Sequence, residues 1–181
     1  MKPILTIICC LFFISMSNSQ ERYLTKNGAI NFFSKAPMED ITADNNQVLS
    51  IIDASSGKMA ISILMKSFQF DKALMQEHFN ENYVESDKFP KATFRGSILN
   101  FDAINATQSK AKVKGVLTIH GVSKEHTIEA NFTRTEKGIL VDGDFIVNLS
   151  DFDVKIPAVV AKNIAKNIKV SFNFNHTPFK K

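Results

Sequence analysis

The feature that most restricts this chain is a period-two alternation of apolar and polar residues through its C-terminal two-thirds. Phe94, Gly96 and Ile98 share one face of an extended segment, and Val113, Gly115, Leu117 and Ile119 share one face of the next. Ile128, Ala130 and Phe132 follow, then Ile139, Val141, Gly143, Phe145, Val147 and Leu149, and finally Ile168, Val170, Phe172 and Phe174. The positions between are mostly polar, among them Lys112, Lys114, Glu129, Asn131, Asp142, Asp144 and Lys169. Successive side chains of a strand point to opposite faces, so this pattern specifies strands with one face buried and one in water. Upstream the rule is looser: Ile30 and Phe32 alternate, as do Met59, Ile61, Ile63 and Met65, and residues 39–53 read as one long or broken strand.

Turn-forming clusters separate these segments at Ser55-Ser56-Gly57, Gly121-Val122-Ser123-Lys124 and Glu136-Lys137-Gly138. Short connections between alternating strands make hairpins, and hairpins make an antiparallel sheet. About eight such strands close into a barrel without exposed edges, filled by side chains or holding one small ligand. The predicted fold is all-β, an antiparallel eight-stranded barrel with one or two short helices. One helix is expected from a cap at Asp71 to about Asn82, with Phe70 and Met75 as a hydrophobic staple. A second is expected over 158–165, after Pro157. Gly96, Gly115, Gly143 and Ala130 interrupt bulky inward rows. They either leave space for a ligand chain or let strands bend at barrel corners.

The first residues read as a targeting segment. Lys2 precedes an apolar run over 4–14, too short to span a bilayer, and Ser17 and Ser19 supply the small residues of a cleavage site. The expected division is a signal peptide at 1–19 and one domain at 20–181. Both cysteines, Cys9 and Cys10, fall in that run. A mature chain without them forms no disulfide, thiolate nucleophile or cysteine zinc site. Secretion without disulfides suits a bacterial envelope, so a periplasmic or secreted location is expected. The formal net charge is +4, the lysines are scattered, and arginine occurs only at 22, 95 and 134. Such a surface does not argue for nucleic acid.

Three stretches carry a resemblance: LTIHGVSKEHTIEANF (117–132), QEHFNENYVESDKFPKATFRG (76–96) and VNLSDFDVKIP (147–157). Gly115 to Lys124 fits the pattern G-x-LT-x-HG-V-[ST]-K, and Phe89-Pro90 with Thr93-Phe94 fits [FY]-P-x-A-[TS]-F. On these motifs the chain resembles the YceI-like family of bacterial envelope proteins, also called polyisoprenoid-binding or lipid-binding lipocalin-like proteins. The start departs from the family pattern of a Ser-x-[IV]-x-F strand followed by a histidine, since residues 31–46 contain no histidine and turn at Pro37. The resemblance implies a lipocalin-like barrel with a hydrophobic tunnel for a long amphiphile: an isoprenoid quinone, a polyprenol or a fatty-acid derivative. No cofactor is implied.

The expected lining is the inward set Phe32, Met59, Ile61, Ile63, Phe94, Ile98, Leu117, Ile119, Phe132, Phe145, Val147 and Phe172. The competing reading of each is a packed core residue. The histidines, at 78, 120, 126 and 176, include no pair at helical metal spacing, and by strand parity His126 points inward and His120 outward. No metal site is expected. Asp142 and Asp144 read as solvated charge on an outer face rather than a catalytic pair. Nucleophile-elbow, zinc-protease, P-loop and dinucleotide motifs are absent, so no enzyme is expected. Four Asn-x-Ser/Thr sequons, at Asn105, Asn131, Asn148 and Asn175, read as chance in a bacterial chain. The leading expectation is a carrier or store for an amphiphilic lipid, with a possible homodimer left open and residues 66–91 as its lid. The alternatives are an envelope stress or interaction protein with a packed barrel, and an enzyme acting on a bound lipid through inward polar groups such as His126 or Arg95.

Overall fold

The computed structural model describes residues 21–179, so the expected signal peptide at 1–19 lies outside the described residues. The alternating segments become β1 (Arg22–Lys35), β2 (Asp40–Asp53), β3 (Lys58–Leu64), β4 (Gln69–Phe70), β5 (Lys91–Ile98), β6 (Ser109–Ile119), β7 (Val122–Thr135), β8 (Gly138–Asn148) and β9 (Asn167–Phe179). The eight long strands pair antiparallel in the order β1-β2-β3-β5-β6-β7-β8-β9, and β9 returns to pair with β1. The sheet is therefore a closed barrel, and β4 adds only two residues beside Ala43 and Asp44 of β2.

Closure needs bends, and β1 and β2 supply them together. On β1 the inward residues Thr25 and Gly28 are separated by two outward ones, and on β2 the same happens between Asn45 and Val48. The β1–β2 register shifts at this place, between Thr25 and Gly28 and again before Ile30. Two successive outward residues let a strand turn without losing its inward face afterwards. Gly28 is required here, because a Cβ would lie 2.5 Å from the Phe174 ring. Asn45 is fully buried but satisfied: its amide donates to the Leu64 carbonyl at 3.0 Å and its oxygen accepts from the Gln47 N–H at 2.9 Å.

Three expectations about local structure need correction. The helix α1 runs Ala73–His78 with Lys72, not Asp71, at its N-cap and no side-chain cap bond. It continues as a π-helical turn, Phe79–Tyr83, reaching about the expected end by a wider winding. After Pro157 there is only a single 3-10 turn, Ala158–Val160. The turn between β6 and β7 is His120-Gly121, earlier than expected, because Ile119 and Val122 already pair. Both turn residues have positive φ, 51° and 76°, the backbone of a tight hairpin whose twist matches its strands.

The barrel has two unlike ends. At the end holding the turns 54–57, 99–108 and 136–137 the interior is solid. Phe132, Phe174, Ile52, Ile139 and Val141 are fully buried there, and Phe101 and Ile104 of the β5–β6 connection cap them. At the other end the connections are long: an insertion over 65–90 between β3 and β5, and a loop over 149–166 between β8 and β9. The Met65 N–H donates to the Pro90 carbonyl at 3.0 Å, closing the base of the insertion.

Candidate functional site

The long-connection end encloses a cavity of about 470 Å³. Its walls are inward residues near the strand ends, including Ile30 and Phe32 of β1, Ile63 of β3, Ala92 of β5, Leu117 and Ile119 of β6, Phe145 and Val147 of β8, and Val170 of β9. The insertion adds Met65, Phe68, Phe70, Met75 and Phe79, and the 149–166 loop adds Phe152, Val154 and Ile164. Phe68, Phe70 and Phe79 meet Phe32 in a cluster with ring centroids 5.1–5.7 Å apart, tilted or edge-on, the geometry such rings prefer. That cluster welds the insertion to β1.

Polar groups are few and mostly peripheral. Among the lining residues they are Ser34, Glu39, Lys72, His78, Tyr83 and Asn163. Ser34 is already engaged, its Oγ accepting the Ala165 N–H at 2.9 Å. The Lys72 ammonium donates to the Glu39 carboxylate at 2.6 Å, tying α1 to the β1–β2 turn. Burial raises the Tyr83 hydroxyl above its ordinary value, so that group is a neutral phenol at physiological pH. Lys72, Leu74 and His78 both line the cavity and are exposed, so the cavity reaches solvent beside α1. The arrangement offers an apolar chamber with its charges at the door, which is the chemistry of holding an apolar tail with a polar end.

Of the twelve residues expected to line a tunnel, Phe32, Ile63, Leu117, Ile119, Phe145 and Val147 surround the cavity. Met59, Ile61, Phe94, Ile98, Phe132 and Phe172 point inward below it and pack against the solid half. The glycines of the inward rows leave no empty space. A Cβ on Gly96 or Gly115 would strike the facing backbone, 2.5 Å from the Lys114 carbonyl oxygen and 2.4 Å from that of Arg95. The place beside Gly143 is taken by the Phe172 ring. Arg95 is exposed, and Asp144 pairs with Lys169 on the outer face at 3.2 Å.

The histidines fall differently from the parity reading. His126 is half-buried between the Phe145 and Phe152 rings. His120 does not point outward, because a turn residue with positive φ is released from strand parity. Its ring lies edge-on to Phe89, centroids 4.7 Å apart, with Nδ1 3.2 Å from the Phe152 carbonyl and Nε2 2.8 Å from the Glu85 carboxylate. The hydrogen bond from His120, helped by Lys88, holds the Glu85 carboxyl below its usual value. Both partners of His120 are acceptors, so both contacts are made together only when both ring nitrogens carry hydrogen. His78 lies exposed at the cavity mouth. The sequence reading missed His176: it is fully buried in the solid half, its Nδ1 3.3 Å from the Ile139 carbonyl and its Nε2 2.8 Å from Ser50 Oγ. Among the described residues no group of three or more His, Cys, Asp or Glu is placed to hold a metal, and no helix is long and apolar enough to cross a membrane.

His120 is where the three family-like stretches converge, with Glu85 and Phe89 from one, Phe152 from another and the turn itself from the third. The Phe89 ring also covers Gly121, where a Cβ would lie 2.5 Å from it. The family model described as YceI-like domain matches residues 25–176. The chain belongs to the YceI-like domain family. Solved structures agree on the YceI-like fold. A polyisoprenoid-binding domain from Saccharophagus degradans implicated in plant cell wall breakdown superposes with a TM-score of 0.75 at 15% identity, over 87% of this chain and 98% of that one. BcnA from Burkholderia cenocepacia gives 0.68 at 19% identity, over 81% and 94%. The YCEI protein of Campylobacter jejuni gives 0.54 at 17% identity, over 87% and 86%. No curated protein sequence matches the chain.

Proposed function

We propose that this protein binds an amphiphilic lipid, tail in the cavity and headgroup at the mouth beside Lys72 and His78, and carries or stores it in the bacterial envelope. The observation that carries the reading is the 470 Å³ chamber whose few charged groups sit at its opening. The kinship to a domain named for polyisoprenoid binding supports the same ligand class. So does the energy scale. Burying about 500 Å² of tail at ~25 cal/mol/Å² is worth roughly 12 kcal/mol, against an association cost on the order of 4–15 kcal/mol. Binding of this kind selects shape and length more than headgroup.

The 1–19 segment supports export, and a lipid that must cross an aqueous space is the cargo such a chamber suits. The rival reading, an interaction protein with a packed barrel, fits only the solid half. Native mass spectrometry with organic extraction, on protein purified from its own host's envelope, tests the proposal. A stoichiometric lipid is expected. Protein that emerges empty and takes up neither added quinones nor polyprenols would put the interaction reading in its place.

A further inference from the structure

The cavity stops half-way down the barrel, and what stops it is built. One inward step below Ile63, Ala92 and Val170 of the cavity wall come Ile61, Phe94 and Phe172 on the same strands. Both rings lie over glycines. The Phe94 Cζ sits 2.9 Å from where a Gly96 Cβ would be, and the Phe172 Cζ sits 2.9 Å from where a Gly143 Cβ would be. Phe172 is stacked on fully buried Phe174, centroids 5.4 Å apart, so it has support from beneath. Its upper neighbour is Phe145 of the cavity wall, at 6.3 Å. The residues that would otherwise leave a through-tunnel, the inward glycines, are the ones that seat the floor.

We propose that this floor is a chain-length ruler, and that the protein selects a single-tailed amphiphile with a main chain of about sixteen carbons, taking each methylene as roughly water-sized at ~30 Å³. This rests on the lipid-binding reading and narrows it. A palmitoyl-sized chain fills the 470 Å³, and an isoprenoid of four units has a main chain of the same length. A long polyprenyl tail leaves most of its carbons outside, where they gain nothing over a bilayer. Within the cavity each added methylene strengthens binding about fourfold relative to water, and beyond the floor that gain ends.

The test is extraction from phosphatidylcholine vesicles by the delipidated full mature chain, scored on sedimented vesicles. The probes are lauric, palmitic and behenic acids, and farnesol, geranylgeraniol and solanesol. Palmitic acid or geranylgeraniol is expected to be extracted at least tenfold better than behenic acid or solanesol, and which of the two leads names the tail chemistry. Phe172→Ala, with its fold checked by circular dichroism, is expected to raise the solanesol-to-geranylgeraniol ratio several-fold. The wild-type series stands alone if that variant does not fold. Extraction of solanesol as efficient as that of geranylgeraniol by the wild type would overturn the ruler and leave lipid binding intact. Extraction of no probe at all would overturn the ruler and the lipid-binding reading together.

Discussion

One barrel, built from one set of alternating strands, is solid at one end and hollow at the other. Strand pairing distinguishes the halves at one seam: β6–β7 and β8–β9 pair along their whole length, but β7 and β8 pair only from Ala130↔Gly143 to Thr135↔Gly138, in the solid half. The rest of the difference lies in connections and in where the large side chains fall. At the solid end the β5–β6 connection folds Phe101 and Ile104 inward as a cap, and Arg134 lies over the Phe101 ring at 5.2 Å. At the hollow end the connections are longer, and Phe68, Phe70 and Phe79 of the insertion form a wall against Phe32 instead of dropping into the centre. Alternation decides which side chains are inside. Whether the inside is full depends on what the connections bring to it.

Substitutions can break that comparison most sharply at matched phenylalanines. Phe132 is fully buried in the solid half, so Phe132→Ala should cost about 3–5 kcal/mol of unfolding free energy. Phe145 stands beside space that is already open, so Phe145→Ala should cost only about 1–2 kcal/mol, the transfer term without a new cavity. Urea unfolding of both variants measures the gap. Equal losses would mean that the two halves are packed alike and that the cavity is not open in solution.

The second expected difference is in pH response. Burial in the solid half pushes the His176 imidazole down to about 4. The Ile139 carbonyl must accept, so Nδ1 carries the hydrogen and the Ser50 hydroxyl donates to Nε2. In the unfolded chain the same ring titrates near 6.5. Between those values the unfolded state holds more protons than the folded one, so stability is fully present above about 6.5 and falls as pH drops toward 4. The loss from this one group should be roughly 3 kcal/mol. Comparing urea unfolding of the wild type and His176→Gln across that window isolates it, since other titrations cancel. A wild-type slope no steeper than the variant's would show that the solid half already admits water around His176.

His176 also shows how much of this was open to a reader of residues. It continues the inward series Ile168, Val170, Phe172, Phe174 by one step, so parity alone could have placed it inside. A polar residue closing an apolar row was the available signal. The same parity sorted the twelve expected lining residues to the interior but could not say which half was hollow, because depth along a barrel leaves no mark in a period of two. The aromatic cluster of Phe68, Phe70 and Phe79 obeys no strand period, since it comes from an insertion. Its trace in the sequence was apolar residues crowded into a connection. His120 was misplaced for the opposite reason: His-Gly lacks the asparagine or aspartate that usually marks a two-residue hairpin.

The smallest expected effect concerns how the hollow half is held shut. Glu85 joins the insertion to His120 at the β6–β7 turn, and both residues have positive φ, 44° and 51°, a conformation costly for side chains with a Cβ. Such strain persists only where the contacts on either side maintain it. Glu85→Gln keeps the shape and removes the charge that accepts from His120. Because Glu85 is at the surface and the insertion is not part of the solid half, the urea midpoint should hardly move. Amide hydrogen exchange over residues 65–90 should nevertheless speed up several-fold, while exchange in β7 to β9 at the solid end stays as it was, as expected for a local opening. Acceleration spread evenly over the barrel would show instead that the two halves open as one unit, and the insertion would then be a strut of the fold with no motion of its own.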